Sequence, residues 1–231
     1  MRQMVSAAGG LWLAMATTTQ AEPVVVVELY TSQGCSSCPA ADNYLETLIQ
    51  DPRVMPLALH VDYWDYIGWK DTFGQAKFTE RQKAYARAIG SRTIYTPQMI
   101  VGGRDRVEGN VPAEVAAHVA EQLAAGRRVM LVARREGGVV VITAEADPPL
   151  TEPVRVQLVR YKPEETVAIE RGENAGQTIT YRNIVTSWDN LGEWSGTAAL
   201  DLEVPAEGSD GTVVILQEAG PSAILAAARV D

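Results

Sequence analysis

The sequence predicts an α/β domain over residues 22–126, a central mixed sheet with flanking helices, followed by an all-β, sandwich-like domain over 127–231. Three observations carry that expectation. The apolar runs Val24–Val27 and Val54–Val61 flank a stretch of helical periodicity, and near-continuous apolar strands are the habit of parallel strands joined by a crossover helix. The chain's two cysteines, Cys35 and Cys38, fall where the first of these strands gives way to its helix. Beyond Gly126 the periodicity changes to short alternating or apolar runs separated by turn residues, the pattern of antiparallel β structure.

Ahead of the first strand, residues 1–21 read as a signal peptide. Arg2 supplies a positive start, Val5–Met15 an apolar stretch, and Thr19-Gln20-Ala21 a small-residue cleavage site before Glu22-Pro23. Export would place the product in the periplasm or outside the cell, where an oxidising environment allows disulfides. No later segment approaches the roughly 20 apolar residues of a membrane span, so the mature chain is expected to have none. With 231 residues, 46% of them hydrophobic, the chain is large enough for two modest cores. Its net charge of −9 argues against nucleic acid or an anionic membrane face as the natural partner.

Within the α/β part, Pro39 suits the first turn of a helix whose apolar stripe is Ala40, Ala41, Tyr44, Leu45, Leu48 and Ile49, and Asp51-Pro52 stops it. After the second strand comes Asp62-Tyr63-Trp64-Asp65-Tyr66-Ile67-Gly68-Trp69, aromatic and acidic together, at the carboxyl end of the sheet where open α/β proteins build their sites. Trp64, Trp69 and Tyr66 fit either a substrate groove or a cap over the core. A second helix is expected over Gln75–Ile89, with Phe78, Gln82, Tyr85 and Ile89 inward and Arg81 outward, ended by Gly90. Thr96-Pro97 then enters a strand, Gly102-Gly103 turns it back, and a third helix runs over Val111–Ala125 with Asn110 as its cap. In the β half, Arg171–Gly176 is the loop to watch for an approach to the cysteines.

A Cys-x-x-Cys pair at a strand-to-helix junction reads as a redox site. The free backbone N–H groups and the positive end of the helix dipole favour a thiolate there, and a lowered pKa makes a cysteine nucleophilic. A disulfide closing so small a loop adds little stability, so chemistry explains the pair better than stapling. A second reading is metal handling, with Cys35 and Cys38 holding Cu(I), since two soft ligands suffice for copper whereas zinc wants four. A third is a binding module whose disulfide is vestigial.

The succession strand, Cys-x-x-Cys, helix, strand, helix, Thr-Pro, hairpin, helix resembles the thioredoxin fold over about Val24–Ala125. More closely, Glu28–Pro39, His60–Asp65, Tyr95–Gln98 and Gly172–Gly176 resemble the secreted bacterial family catalogued as domain of unknown function 1223. The superfamily resemblance implies a thiol-disulfide oxidoreductase without a cofactor, acting on protein or small-molecule thiols and disulfides together with an unidentified redox partner. It implies Cys35 as the exposed attacking thiol, Cys38 as the resolving thiol, and Thr96-Pro97 as a cis-proline loop beside them. It also implies Glu28 as the buried carboxylate that passes protons to the resolving cysteine, although an extra residue separates them here, with Asp62 as a rival. The Ser36-Ser37 pair between the cysteines does not match familiar reductants or oxidants, so the direction of electron flow is not readable from it.

Overall fold

Strand β1 (Val25–Thr31) is buried along its whole length, and it begins the chain's largest sheet. The structure, a computed structural model, describes residues 24–126, 128–206, 208 and 210–230. The expected signal peptide lies outside the described residues. Helix α1 (Pro39–Ile49) crosses over to β2 (Val54–His60), which pairs parallel to β1 from Val25↔Val54 to Thr31↔His60. Helix α2 (Ala76–Ala88) leads to the hairpin β3 (Gln98–Val101) and β4 (Asp105–Glu108), and α3 (Pro112–Ala124) follows. Strand β3 runs antiparallel to β1, so Gln98 lies opposite Tyr30.

Alternation along β1 separates two cores. Val25, Val27 and Leu29 pack under Ala41, Leu45 and Leu48 of α1 and Val115 and Val119 of α3. Val26 and Tyr30 face the opposite layer, where α2 contributes Phe78 and Tyr85. Ile89, expected on the inner stripe of α2, lies just past its end and is 61% exposed. Asn110 does not cap α3 either: Val111 holds the cap position without a side-chain hydrogen bond, and Pro112 starts the helix.

The rest of the chain is all β: β5 (Val129–Glu136), β6 (Val139–Ala146), β7 (Val154–Ala168), β8 (Thr178–Trp194), β9 (Leu200–Pro205), β10 (Gly211–Glu218) and β11 (Ile224–Arg229). A three-stranded antiparallel sheet, β5-β6-β9, lays Val129, Leu131, Val140 and Ile142 against Val154, Val156 and Leu158 of β7 and Val214 and Leu216 of β10. That is a sandwich, but one of its layers is not separate. Strands β11, β10, β7 and β8 continue the first sheet, whose full order is β11-β10-β7-β8-β2-β1-β3-β4.

The junction is narrow, since β8 pairs parallel with β2 only at Ala58↔Ile184. Pro56 has no N–H to offer β8, and its carbonyl accepts instead from the side chain of Asn183 at 2.8 Å, a residue held at φ 46°. The turn between β3 and β4 makes a second tie, because Ile224 N–H donates to the Gly102 carbonyl at 2.8 Å. Gly103 is required there: at φ +74° a Cβ would lie 2.2 Å from the Ser222 carbonyl oxygen. Among the described residues no helix is long and apolar enough to cross a membrane.

Candidate functional site

Cys35 and Cys38 are joined as a disulfide, their Cα atoms 5.4 Å apart. The chain leaves β1 through a tight turn in which the Ser32 carbonyl accepts from Cys35 N–H and the Cys35 carbonyl accepts from Cys38 N–H, both at 3.1 Å. Cys38 is the N-cap of α1, with Pro39 directly after it. The cysteines therefore stand at the positive end of a helix, which favours a thiolate when the bond is open.

Cys35 is not the exposed thiol that the resemblance implies: it is 2% exposed and Cys38 is fully buried. The cover comes from the β half. Asn174, itself 1% exposed, donates through Nδ2 to the carbonyls of Gln33 at 2.9 Å and Cys35 at 3.0 Å. Its own side-chain oxygen accepts from Gln177 Nε2 at 3.1 Å. Gly172, at φ +80°, lets the same segment press on Trp69, whose Cβ would lie 3.1 Å from an added methyl. Ser36 and Ser37 remain exposed, and the Cys35 sulfur lies 3.4 Å from the Ser37 hydroxyl, so Cys35 sits just below the surface.

The sheet brings the proline loop to the same edge. Because Gln98 pairs with Tyr30, Pro97 enters β3 across from the end of β1, and the Thr96–Pro97 peptide is cis. Trp64 links the two loops: its indole N–H donates to Thr96 Oγ1 at 2.7 Å, and its Cβ would lie 3.3 Å from a methyl on Gly34. Trp69 donates to Gln33 Oε1 at 2.8 Å and packs beside Ile169, Ile179 and Tyr181, so it supports the cover from below. Asp62 is half-buried, and its carboxylate accepts from the Thr79 hydroxyl at 2.6 Å, which ties it to α2.

Glu28 lies on the wrong face of β1 for proton transfer to Cys38. It shares the α2 side with Tyr30, whereas α1 covers Leu29. There its carboxylate accepts from Arg81 at 2.7 and 2.8 Å, from Tyr85 at 2.6 Å and from Tyr30 at 3.0 Å. Arg81, expected to point outward, is drawn in by this charge, stacks on Trp188 at 3.7 Å and reaches Gln217 of β10 at 3.0 Å. Glu28 is thus the centre of a structural ion pair.

A different set of ionisable side chains lies on the cysteine side. Asp42 of α1, His60 of β2 and Asp71 are all buried, the first and last at 2% and 1% exposure. His60 Nδ1 is 2.7 Å from Asp71 Oδ2, which also accepts from Gln33 N–H at 2.8 Å, while Asp71 Oδ1 accepts from Phe73 N–H at 2.8 Å. Burial works against both charges, yet His60 and the two backbone donors hold Asp71 below its usual range. Burial also pulls His60 down, but the charge and hydrogen bond of Asp71, with Asp42 behind them, keep it above its ordinary value. Burial pushes the Asp42 carboxyl up to about 7 against the pull of His60. Among the described residues no group of three or more His, Cys, Asp or Glu side chains is arranged to hold a metal ion.

Fold and site together define a mixed α/β protein with a second antiparallel sheet and a Cys-x-x-Cys disulfide at a strand-to-helix junction. The chain belongs to the family described as protein of unknown function (DUF1223), which it matches over residues 26–217. It is similar to the crystal structure of protein AGR_C_4864 from Agrobacterium tumefaciens, at 34% identity and a TM-score of 0.75, covering 90% of this chain and 95% of that one. It is also similar in fold to HBP35 of Porphyromonas gingivalis, at 14% identity and a TM-score of 0.64, covering 90% of this chain and 74% of the other. No curated protein matches the sequence.

Proposed function

We propose that this is an exported, thioredoxin-like thiol-disulfide oxidoreductase in which Cys35 is the sulfur attacked or attacking and Cys38 resolves the mixed disulfide. The observation that carries the reading is the Cys35–Cys38 disulfide at the N-terminus of α1, with the cis Thr96–Pro97 peptide at the same sheet edge. Exchange proceeds in line, sulfur to sulfur, through a mixed disulfide with the client. Cys35, under the exposed Ser36-Ser37 dipeptide, is the sulfur nearer to solvent. Because Asn174 holds the Cys35 carbonyl, the 171–176 segment must lift before a client can reach the sulfur. Trp64 and Thr96 flank the opening left by that motion and would contact the incoming chain.

The test is a coupled reduction assay with insulin and glutathione disulfide as substrates. Turnover that disappears in Cys35→Ser supports the reading. Wild-type protein that is reduced stoichiometrically by dithiothreitol yet turns over neither substrate would refute it.

A further inference from the structure

Exchange at the disulfide moves a proton on and off Cys38, and the cysteine side of the sheet holds a cluster fitted to that task. Asp42 follows Cys38 by one helical turn on the buried face of α1, and its amide donates to the Cys38 carbonyl at 3.0 Å. Around it converge Thr31 from β1, His60 from β2, Asp71 from the segment after β2, and Tyr181 from β8. Glu46, further along α1, is turned outward to Arg182. His60 Nε2 and the Tyr181 hydroxyl are buried without a hydrogen-bond partner, and the buried Asp42 carboxyl has only the Thr31 hydroxyl to bond it.

Buried polar atoms are almost always paired, so under-paired ones gathered one helical turn from Cys38 call for an explanation. Structural carboxylates in this protein are saturated, as Glu28 is with its four donors. Asp42 differs: it has the Thr31 hydroxyl alone where Glu28 has four donors, and no cation is bonded to it. We propose that the Asp42 carboxyl is the proton store for Cys38, with the His60–Asp71 ion pair setting its readiness, a deepening that rests on the exchange reading above.

In the reducing direction an external thiolate attacks the Cys35 sulfur, the Cys35–Cys38 bond breaks, and its electron pair leaves on Cys38. The Asp42 carboxyl gives its proton to that thiolate, so the products are a mixed disulfide on Cys35, a Cys38 thiol and an Asp42 carboxylate. In the resolving direction Asp42 takes the proton back, Cys38 attacks the Cys35 sulfur, and the external group departs as thiolate. No further oxidant or reductant is needed. A carboxyl titrating near neutral pH can act both ways, as burial arranges here.

The test uses the reduced full chain and dithiobis-nitrobenzoate, which releases one coloured thiolate as Cys35 reacts and a second as Cys38 closes the disulfide. In Asp42→Asn the second release at neutral pH is expected to slow about a hundredfold, with its pH midpoint moved up toward the ordinary thiol range. An Asp71→Asn change, which weakens the positive charge on His60, is expected to raise the same midpoint less. A folded Asp42→Asn with an unchanged second phase overturns the proposal.

If that variant does not fold, carboxyl carbon resonances of the wild-type protein decide. The Asp42 midpoint must differ between the disulfide and dithiol states, because a Cys38 thiol that exchanges its proton with Asp42 couples the two titrations. Equal midpoints overturn the proton store while leaving exchange intact. A wild-type protein that never gives the second release removes the exchange reading, and the store falls with it.

Discussion

Replacing Asn174 by alanine should unlatch the disulfide. The side-chain amide makes two hydrogen bonds to buried carbonyls, those of Gln33 and Cys35. Each such bond contributes about 0.5–1.5 kcal/mol net, so the pair holds the 171–176 segment down by about 1–3 kcal/mol. If that segment must lift before a reductant reaches Cys35, the open population in Asn174→Ala rises by the same free energy, which is about fivefold to 150-fold. Stopped-flow tryptophan fluorescence after dithiothreitol addition reads the reduction rate, and Trp64 and Trp69 lie next to the cysteine loop. Urea unfolding in parallel reads the stability loss. A variant that loses stability but is reduced no faster would show that the segment is ordinary packing and not a gate. One unchanged in both would remove the latch altogether.

Cys38→Ser should accumulate mixed disulfides on Cys35, since nothing remains to release them. Diagonal non-reducing gels from an oxidising compartment check this, and an alkylation map in which Cys38 of the reduced wild type reacts before Cys35 would contradict the assigned order. Glu28→Gln should cost about 3–5 kcal/mol in urea unfolding by stranding Arg81, yet leave the exchange rate of the folded fraction near wild type; a selective loss of rate would restore Glu28 to the chemistry. Stability itself should fall as pH rises from about 4 to about 7, because folded Asp42 keeps its proton to about 7 while the unfolded side chain loses it near its ordinary value. His60, raised in the folded state, adds to the decline above its unfolded value near 6.5. Asp71 acts oppositely, its contribution being present above its ordinary range and lost on acidification. Asp42→Asn should flatten the decline, and a slope that survives the substitution would place its origin elsewhere.

Hydrophobic period made β1, α1, β2 and the later runs legible, since each buries one face or both. The periods failed where a partner comes from another element. Arg81 reads as an outward charge on α2 until Glu28 arrives from β1, and Glu28 reads as a redox carboxylate until the parity of β1 turns it toward α2. Strand β7 looks broken at Lys162-Pro163-Glu164, yet it runs on through Ala168. Beyond Tyr161 it pairs only with β8, so Pro163 sits on an edge where a missing donor is harmless. Sequence reasoning missed Asp42, although its place on the buried face of Cys38, Ala41 and Leu45, where a carboxylate is out of place, was the signal that could have found it. Asp71 and its bond to His60 left no local sign, being set by a loop that returns to the end of β2.

The lone Ala58–Ile184 bridge makes this chain modular as text and monolithic as matter. Cutting after Gly126 would leave β2 with a bare flank, an invitation to pair with another molecule, and would also take away the amide that holds the Gln33 and Cys35 carbonyls. A shortened protein is therefore expected to clump and to react indiscriminately, and fusing the cysteine half to a new recognition module would require β8 to travel with it.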